Sequence, residues 1–255
     1  MTVLLFKLLT TPTLIFVATM VSRRFGQATG GWLVGLPLTS GPIAFFLAIE
    51  QGSQFAQLAA VGSLKGTVAQ ALFATAYVRL GRRRHWSLCL LGGTISFLAA
   101  GLALDGLNLS IFALIVIACA ALAAALWMIG EPAIGERSTD APPWDLPVRM
   151  LVATGLVLLI TSTANLIGPG LSGLAATFPL FAIVLAVFAH QHHGAPAAQS
   201  VFRGLALGLF GFVGFFASVS LLVTRVGLAT AFLAALVVNL VISVLAYPAL
   251  RQSFD

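Results

Sequence analysis

Charge is what this chain has least of. Asp, Glu, Lys and Arg make up only 8% of its 255 residues, where a soluble domain carries about 25%. Too few polar groups exist to cover one water-exposed surface, which excludes a typical soluble enzyme and a disordered chain. Cysteine is as scarce. Cys89 and Cys119 lie alone in apolar runs without CxxC spacing, so a disulfide-stapled secreted domain is excluded and both read as small buried hydrophobes. Period-2 alternation is missing, and with it a membrane β-barrel. HExxH, GxSxG and Walker sequences are missing too, so no enzyme, cofactor or metal site is expected. The net charge of +6 does not indicate nucleic acid, because the basic residues sit between apolar runs and not on a polar fold.

What is present is apolar length. Hydrophobic residues make up 60% of the chain, and a helix needs about 20 of them to cross the hydrocarbon core. Nine segments qualify, near 3–22, 31–50, 54–79, 86–104, 109–130, 147–165, 171–190, 196–223 and 228–250. The expected fold is an all-α polytopic membrane protein. Met1–Ser22 reads as a retained first helix, since no small-residue cleavage site precedes the second run. Nine of the thirteen basic residues, among them Arg23, Arg24, Arg79, Arg82, Arg83, Arg84, Arg137, Arg149 and Arg251, fall on one side. The positive-inside rule then puts the N-terminus outside and the C-terminus in the cytoplasm. Eleven Arg against two Lys suggests a bacterial source, and so a bacterial inner membrane.

An internal repeat organises the spans. Residues 30–66 laid over 168–204 give eleven identities, including Gly30/Gly168, Thr39/Thr177, Ala44/Ala182 and Gly66/Gly204, with Lys65 on Arg203. Chance would give on the order of three or four in so Ala/Leu/Gly-rich a chain. The copies start five spans apart, so they enter the membrane from opposite sides. Spans 1–4 (residues 1–108) and 6–9 (residues 147–255) are then inverted repeats. A linker helix (109–130) and a Pro-rich cytoplasmic connector (131–146, with Trp144 at the interface) join them. Inverted repeats are a recurring plan of secondary transporters.

The candidate site lies where proline interrupts paired spans. Pro37 and Pro42 flank Thr39, Ser40 and Gly41 in span 2, and Thr177, Phe178 and Pro179 sit in span 7. Such stretches unwind and offer carbonyls and hydroxyls to a ligand, or else are plain kinks with hydroxyls bonded back to the helix. Lys65 falls near the middle of span 3, where a cation faces a partner or an aqueous cavity. Arg203, its repeat mate, either does the same or snorkels to the interface. Mid-depth cations without mid-depth carboxylates point to an anionic or zwitterionic substrate, unless Glu50 pairs with Lys65. The substrate-binding set is therefore Thr39, Ser40, Pro42, Lys65, Thr177, Pro179 and Arg203. His190, His192 and His193 lack a Cys or acid beside them and read as interfacial. Asn165 and Asn239 read as interhelical packing. The glycine pairs Gly62/Gly66 and Gly204/Gly208 read as a crossing of spans 3 and 8. The expected activity is secondary transport of a small anionic or zwitterionic solute by alternating access, with membrane lipids as partners, a homodimer possible and no named coupling ion. The rival readings are a lipid-handling or scaffold protein, and a channel.

Overall fold

A computed structural model of the chain describes residues 2–38, 40–131, 144–155 and 177–251. Every regular element among them is an α-helix: α1 (Thr2–Phe25), α2 (Gln27–Gly35), α3 (Ser40–Gln51), α4 (Ser53–Gly81), α5 (Trp86–Asp105), α6 (Ile111–Ile129), α7 (145–155), α8 (Leu180–His193), α9 (Ala195–Val226) and α10 (Leu228–Arg251). Among the described residues, four helices (α5, α6, α9 and α10) have stretches long and apolar enough to cross a membrane. Their surfaces agree with that. On α5 the buried residues are Cys89, Gly93, Phe97 and Gly101, while Leu88, Leu91, Ile95, Leu98 and Leu102 point outward. A helix that exposes a row of branched apolar side chains and buries mostly small ones faces lipid on its outer side.

The expected spans 54–79, 86–104, 109–130, 196–223 and 228–250 correspond to α4, α5, α6, α9 and α10, and 3–22 falls within α1. The second expected span, 31–50, is not one helix. It starts earlier, at Gln27, and breaks after Gly35. Pro37 is the cause: the residue before a proline is pushed out of the α region, and Leu36 is extended at φ −75°, ψ 154°. In the seventh span Thr177, Phe178 and Pro179 are non-helical and α8 starts only at Leu180. Of the sixth, α7 begins at 145, inside the stretch read as connector, and residues 156–176, Asn165 included, lie outside the described ones.

Helix α9 is the axis of the bundle. In its membrane-length stretch 72% of residues are buried, against 22–28% for those of α5, α6 and α10. It packs on α2, α4, α6, α8 and α10. Its closest neighbour is α2, because glycine faces glycine there. A Cβ at Gly208 would meet the carbonyl of Trp32 and, at 3.0 Å, Cα of Gly35, and a Cβ at Gly31 would meet the backbone of Val201. The pair Gly204/Gly208 therefore crosses Gly31/Gly35 of α2, and not Gly62/Gly66 of α4 as the sequence suggested. Gly62 has nothing within 4 Å, and Gly66 faces Thr177. Tight reversals complete the frame. Gly52 at φ 88° joins α3 to α4, and Gly194 at φ 80° joins α8 to α9, a region that L side chains enter at a cost.

The basic residues gather at one end, the arginine end. The α4–α5 turn carries Arg82, Arg83 and Arg84, α1 ends at Arg23 and Arg24, and α10 ends at Arg251. The α6 C-terminus and the histidines of α8 lie there as well, the first bonded to Arg203 and the second to Tyr77. The opposite end holds Asp105, Arg225 and the link from Gln57 Nε2 to the Ser220 carbonyl (2.9 Å).

The α2–α9 crossing makes a paired stability test. Gly204→Val places a side chain against the carbonyl of Ala28, which cannot rotate away, so about 1–3 kcal/mol or more should be lost. Gly62→Ala meets open space and should be neutral or stabilising by up to about 1 kcal/mol. Melting temperatures of the two variants in detergent, compared with wild type, check both outcomes.

Candidate functional site

The two proline breaks meet. Each contains the same small turn: Leu38 N donates to Leu36 O across Pro37, and Leu180 N donates to Phe178 O across Pro179, both at 2.8 Å. These i→i+2 bonds are those of inverse γ-turns, and Pro179 at φ −78°, ψ 53° has the matching geometry. Between the breaks lies a cavity of about 60 Å³, lined by Gly35, Leu36 and Ser40 on one side and Thr177, Phe178 and Pro179 on the other. Gln70 of α4 and Leu205, Leu209 and Phe212 of α9 close it. Its size suits a few water molecules or a comparably small solute.

Depth follows from helix geometry. Gln70 lies eleven residues, about 16 Å at 1.5 Å per residue, from the arginine end of α4. That is close to the middle of the 20-residue α5 beside it. The electrostatics are those of helix ends. Helix α8 starts at the cavity without a side-chain cap, so its positive dipole end and first N–H groups point there. Non-helical backbone at this depth is compatible with a membrane only where it lines a cavity or is buried in protein, and here it lines one.

Aromatic clusters lie on both sides of the cavity's depth. Toward the arginine end Phe178 is met edge-on by Phe73 at 5.8 Å and Phe97 at 5.1 Å, and Phe202 stands 5.7 Å from Phe73 and 4.8 Å from Tyr77. Toward the other end Phe215 packs on Phe216 at 5.1 Å and Phe232 at 5.9 Å, with Phe45 against Phe232 at 5.1 Å.

The expected site residues divide. Ser40, Thr177 and Pro179 line the cavity. Thr39 lies outside the described residues, and Pro42 sits in the first turn of α3 but not on the cavity wall. Lys65 is not at mid-depth. It is sixteen residues, about 24 Å, from the arginine end, level with the far end of α5. Its Nζ stands 3.7 Å from Asp105 Oδ1. Asp105 is thus a partner the sequence reading did not name; the side chain of Glu50, the partner it did name, lies outside the described residues. Asp105 is 70% exposed, so the pair adds little stability. Arg203 is engaged as well: its guanidinium donates to Gly130 O at 2.9 Å and stands 3.7 Å from Glu131 Oε1. Beside it Gln199 Nε2 donates to Ile129 O at 2.7 Å. Together they satisfy carbonyls that the end of α6 leaves open, as cations at a helix C-terminus do. Cys89 and Cys119 are free thiols, and Asn239 is buried between α10 and Gly211 of α9. Among the described residues no group of three metal-ligating side chains exists.

Two features escaped the sequence reading. Gln70 is one; a lone amide within an apolar helix was its visible signal. The other is Asp145, placed in the connector by its surroundings in the chain. It is fully buried, with Arg23 Nη2 and Arg149 Nε each 2.9 Å from Oδ2 and His192 Nε2 3.3 Å from Oδ1. Only Arg23 donates a well-directed hydrogen bond; Arg149 and His192 lie off the bonding line, and the Arg149 contact is ionic in character. Arg149 also stacks over Phe188 at 4.7 Å. One carboxylate thereby ties α1, α7 and α8 together at the arginine end. Arg149 sits one helical turn beyond Asp145, an i, i+4 spacing that the sequence does carry.

Comparison of the chain with known protein families, characterised proteins and solved structures finds no match.

Removing the carboxylate from this cluster leaves Arg149 buried beside Arg23 without compensation. Asp145→Asn should therefore cost about 3 kcal/mol, the lower part of the range for a broken buried pair. Asp145→Asn combined with Arg149→Met should recover part of that loss. Detergent melting curves of the single and double variants measure both effects.

Proposed function

We propose that the chain is a secondary transporter of a small anionic or zwitterionic solute, working by alternating access between two inverted halves of a nine-pass bundle. The observation that carries this reading is the pair of proline-centred turns lining one cavity, with the uncapped N-terminus of α8 directed into it. Broken helices in corresponding positions, with half-helix N-termini facing an anionic group, are the recurring site of such carriers. The source of positive potential in this reading is backbone, not Lys65 or Arg203.

The order and direction of the elements support the inverted halves. Break, α3, Gly52, α4 and α5 correspond to break, α8, Gly194, α9 and α10. Helix α3 runs from the cavity to the end opposite the arginines and α8 to the arginine end; every later pair is likewise opposed. The register of this correspondence differs from the one the sequence suggested. Pro37 matches Pro179, Gly52 matches Gly194, Gln57 matches Gln199, Gly62/Gly66 match Gly204/Gly208 and Phe73 matches Phe215. Four residues separate the two registers, one turn of helix, so the apolar pattern scores well in both. In the structural register Lys65 faces Leu207 and Arg203 faces Val61, and the two cations cease to be equivalent. Phe73 and Phe215 become equivalent, one on each side of the cavity's depth. In this reading each half opens one side of the cavity in turn. The orientation proposed is N-terminus outside and C-terminus in the cytoplasm of a bacterial inner membrane, with the arginine end inside.

Purified protein in proteoliposomes provides the test. A thermal-shift screen of anionic, zwitterionic and cationic metabolites identifies the ligand by the stability it adds, and radiolabelled uptake then measures the cycle. Saturable uptake with counterflow is expected. Gln70→Leu should weaken binding about tenfold or more, the loss of a hydrogen bond to a charged group. Gly66→Val should abolish uptake by driving a side chain into Thr177. Flux that neither saturates nor shows counterflow identifies a channel; no flux and no thermal shift identify a scaffold.

A further inference from the structure

A second hollow lies on the flank of the bundle, away from the central cavity. It measures about 460 Å³ and runs between α4, α5 and α6, bounded by Leu72, Ala76, Arg79, Ala99, Ala100 and Met128. That volume is in the range of small-molecule sites. Its floor consists of short side chains on α4 and α5 between longer ones, which makes a groove open to the surrounding lipid. Its polarity is graded along its length. Leu72 and Ser96 mark the end near mid-depth, whereas Arg79 and Met128 stand within a turn of the arginine end.

Arg79 is exposed and makes no hydrogen bond or ion pair among the described residues. Arg82, Arg83 and Arg84 follow within one turn, all exposed and equally without a carboxylate partner among the described residues. Among the other arginines at this end, Arg23 and Arg149 are committed to Asp145 and Arg203 to the end of α6, and Arg24 lies over the ring of Phe25. Uncompensated cations at headgroup level, above an apolar groove that descends toward the membrane centre, complement one class of molecule. That class has an anionic head joined to a hydrocarbon tail.

We propose that the groove between α4, α5 and α6 is a binding site for an anionic phospholipid. One acyl chain lies along Leu72, Ala76, Ala99 and Ala100, and the phosphate is held by Arg79 with Arg82, Arg83 and Arg84 beside it. The site stands apart from the central cavity and does not depend on the transport reading. Helices α4 and α5 belong to the half that carries Gln70 and Phe73, so a bound lipid braces that half against α6.

Native mass spectrometry of detergent-purified protein tests this with phosphatidylglycerol and phosphatidylcholine of identical chains. Wild type should retain phosphatidylglycerol adducts about tenfold better than phosphatidylcholine adducts. Arg79→Gln should reduce phosphatidylglycerol retention about fivefold, since each cation near an anionic surface contributes about that factor. Ala99→Trp fills the groove from an exposed position and should reduce retention of the bound lipid while leaving the melting temperature in lipid-free detergent unchanged. Equal retention of the two lipids overturns the proposal. So does selective retention that both variants keep, since the anionic site then lies elsewhere. A protein dimer that forms without lipid and dissociates in Ala99→Trp also overturns it, because the groove would then be a subunit contact.

Discussion

With no side chain between them, Gly31 and Gly35 of α2 let its backbone lie against Gly204 and Gly208 of α9, and the centre of the molecule is positioned by that contact. In lipid the apolar effect does not drive helices together, so close van der Waals approach between small residues is the available force. The crossing brings the C-terminal end of α2, where Pro37 breaks the chain, beside α9. Helix α9 in turn packs on α8 and holds the second break at Pro179. A central cavity between the turns at Pro37 and Pro179 therefore follows from four glycines and two prolines. Neither set suffices alone: without Pro37 α2 would run on toward α3, and without the glycines the two turns would not meet.

The ionic groups obey a complementary economy. A cation or carboxylate away from water is retained where another group neutralises it. Asp145 is neutralised by Arg23 and Arg149, and Arg203 is held by the carbonyls of α6 and by Glu131. Lys65 reaches Asp105 at the far edge of α5. Among the described residues the polar lining of the central cavity is Ser40, Gln70, Thr177 and backbone, with no charged side chain. In the transport reading proposed above, helix ends and hydrogen-bond donors would attract an anion without a fixed charge to hold it, and such weak binding would suit a solute that must leave as readily as it enters.

Much of the architecture was legible in the chain. The scarcity of charge and the length of the apolar runs dictated helices, since nothing else satisfies its backbone in lipid. Most helix limits followed from where those runs stop. The breaks at Pro37 and Pro179 were legible too, because a missing N–H and a restricted preceding residue act locally. Ser40, Thr177 and Pro179 reached the cavity for the same reason.

Other features depended on partners distant in sequence. Hydropathy marks Lys65 as lying within a span but not how far α4 overhangs its neighbour; the meeting with Asp105 is a matter of relative helix length and tilt. Asp145 looked like a connector residue because its three partners are residues 23, 149 and 192, two of them far along the chain. The sequence by itself determined that this chain forms apolar helices, where proline interrupts them and which end gathers the arginines, all of which are local or additive properties. Tertiary structure decided which glycines face one another, which ions pair and which residues share a cavity, because these depend on the approach of helices whose distances no single stretch of chain encodes.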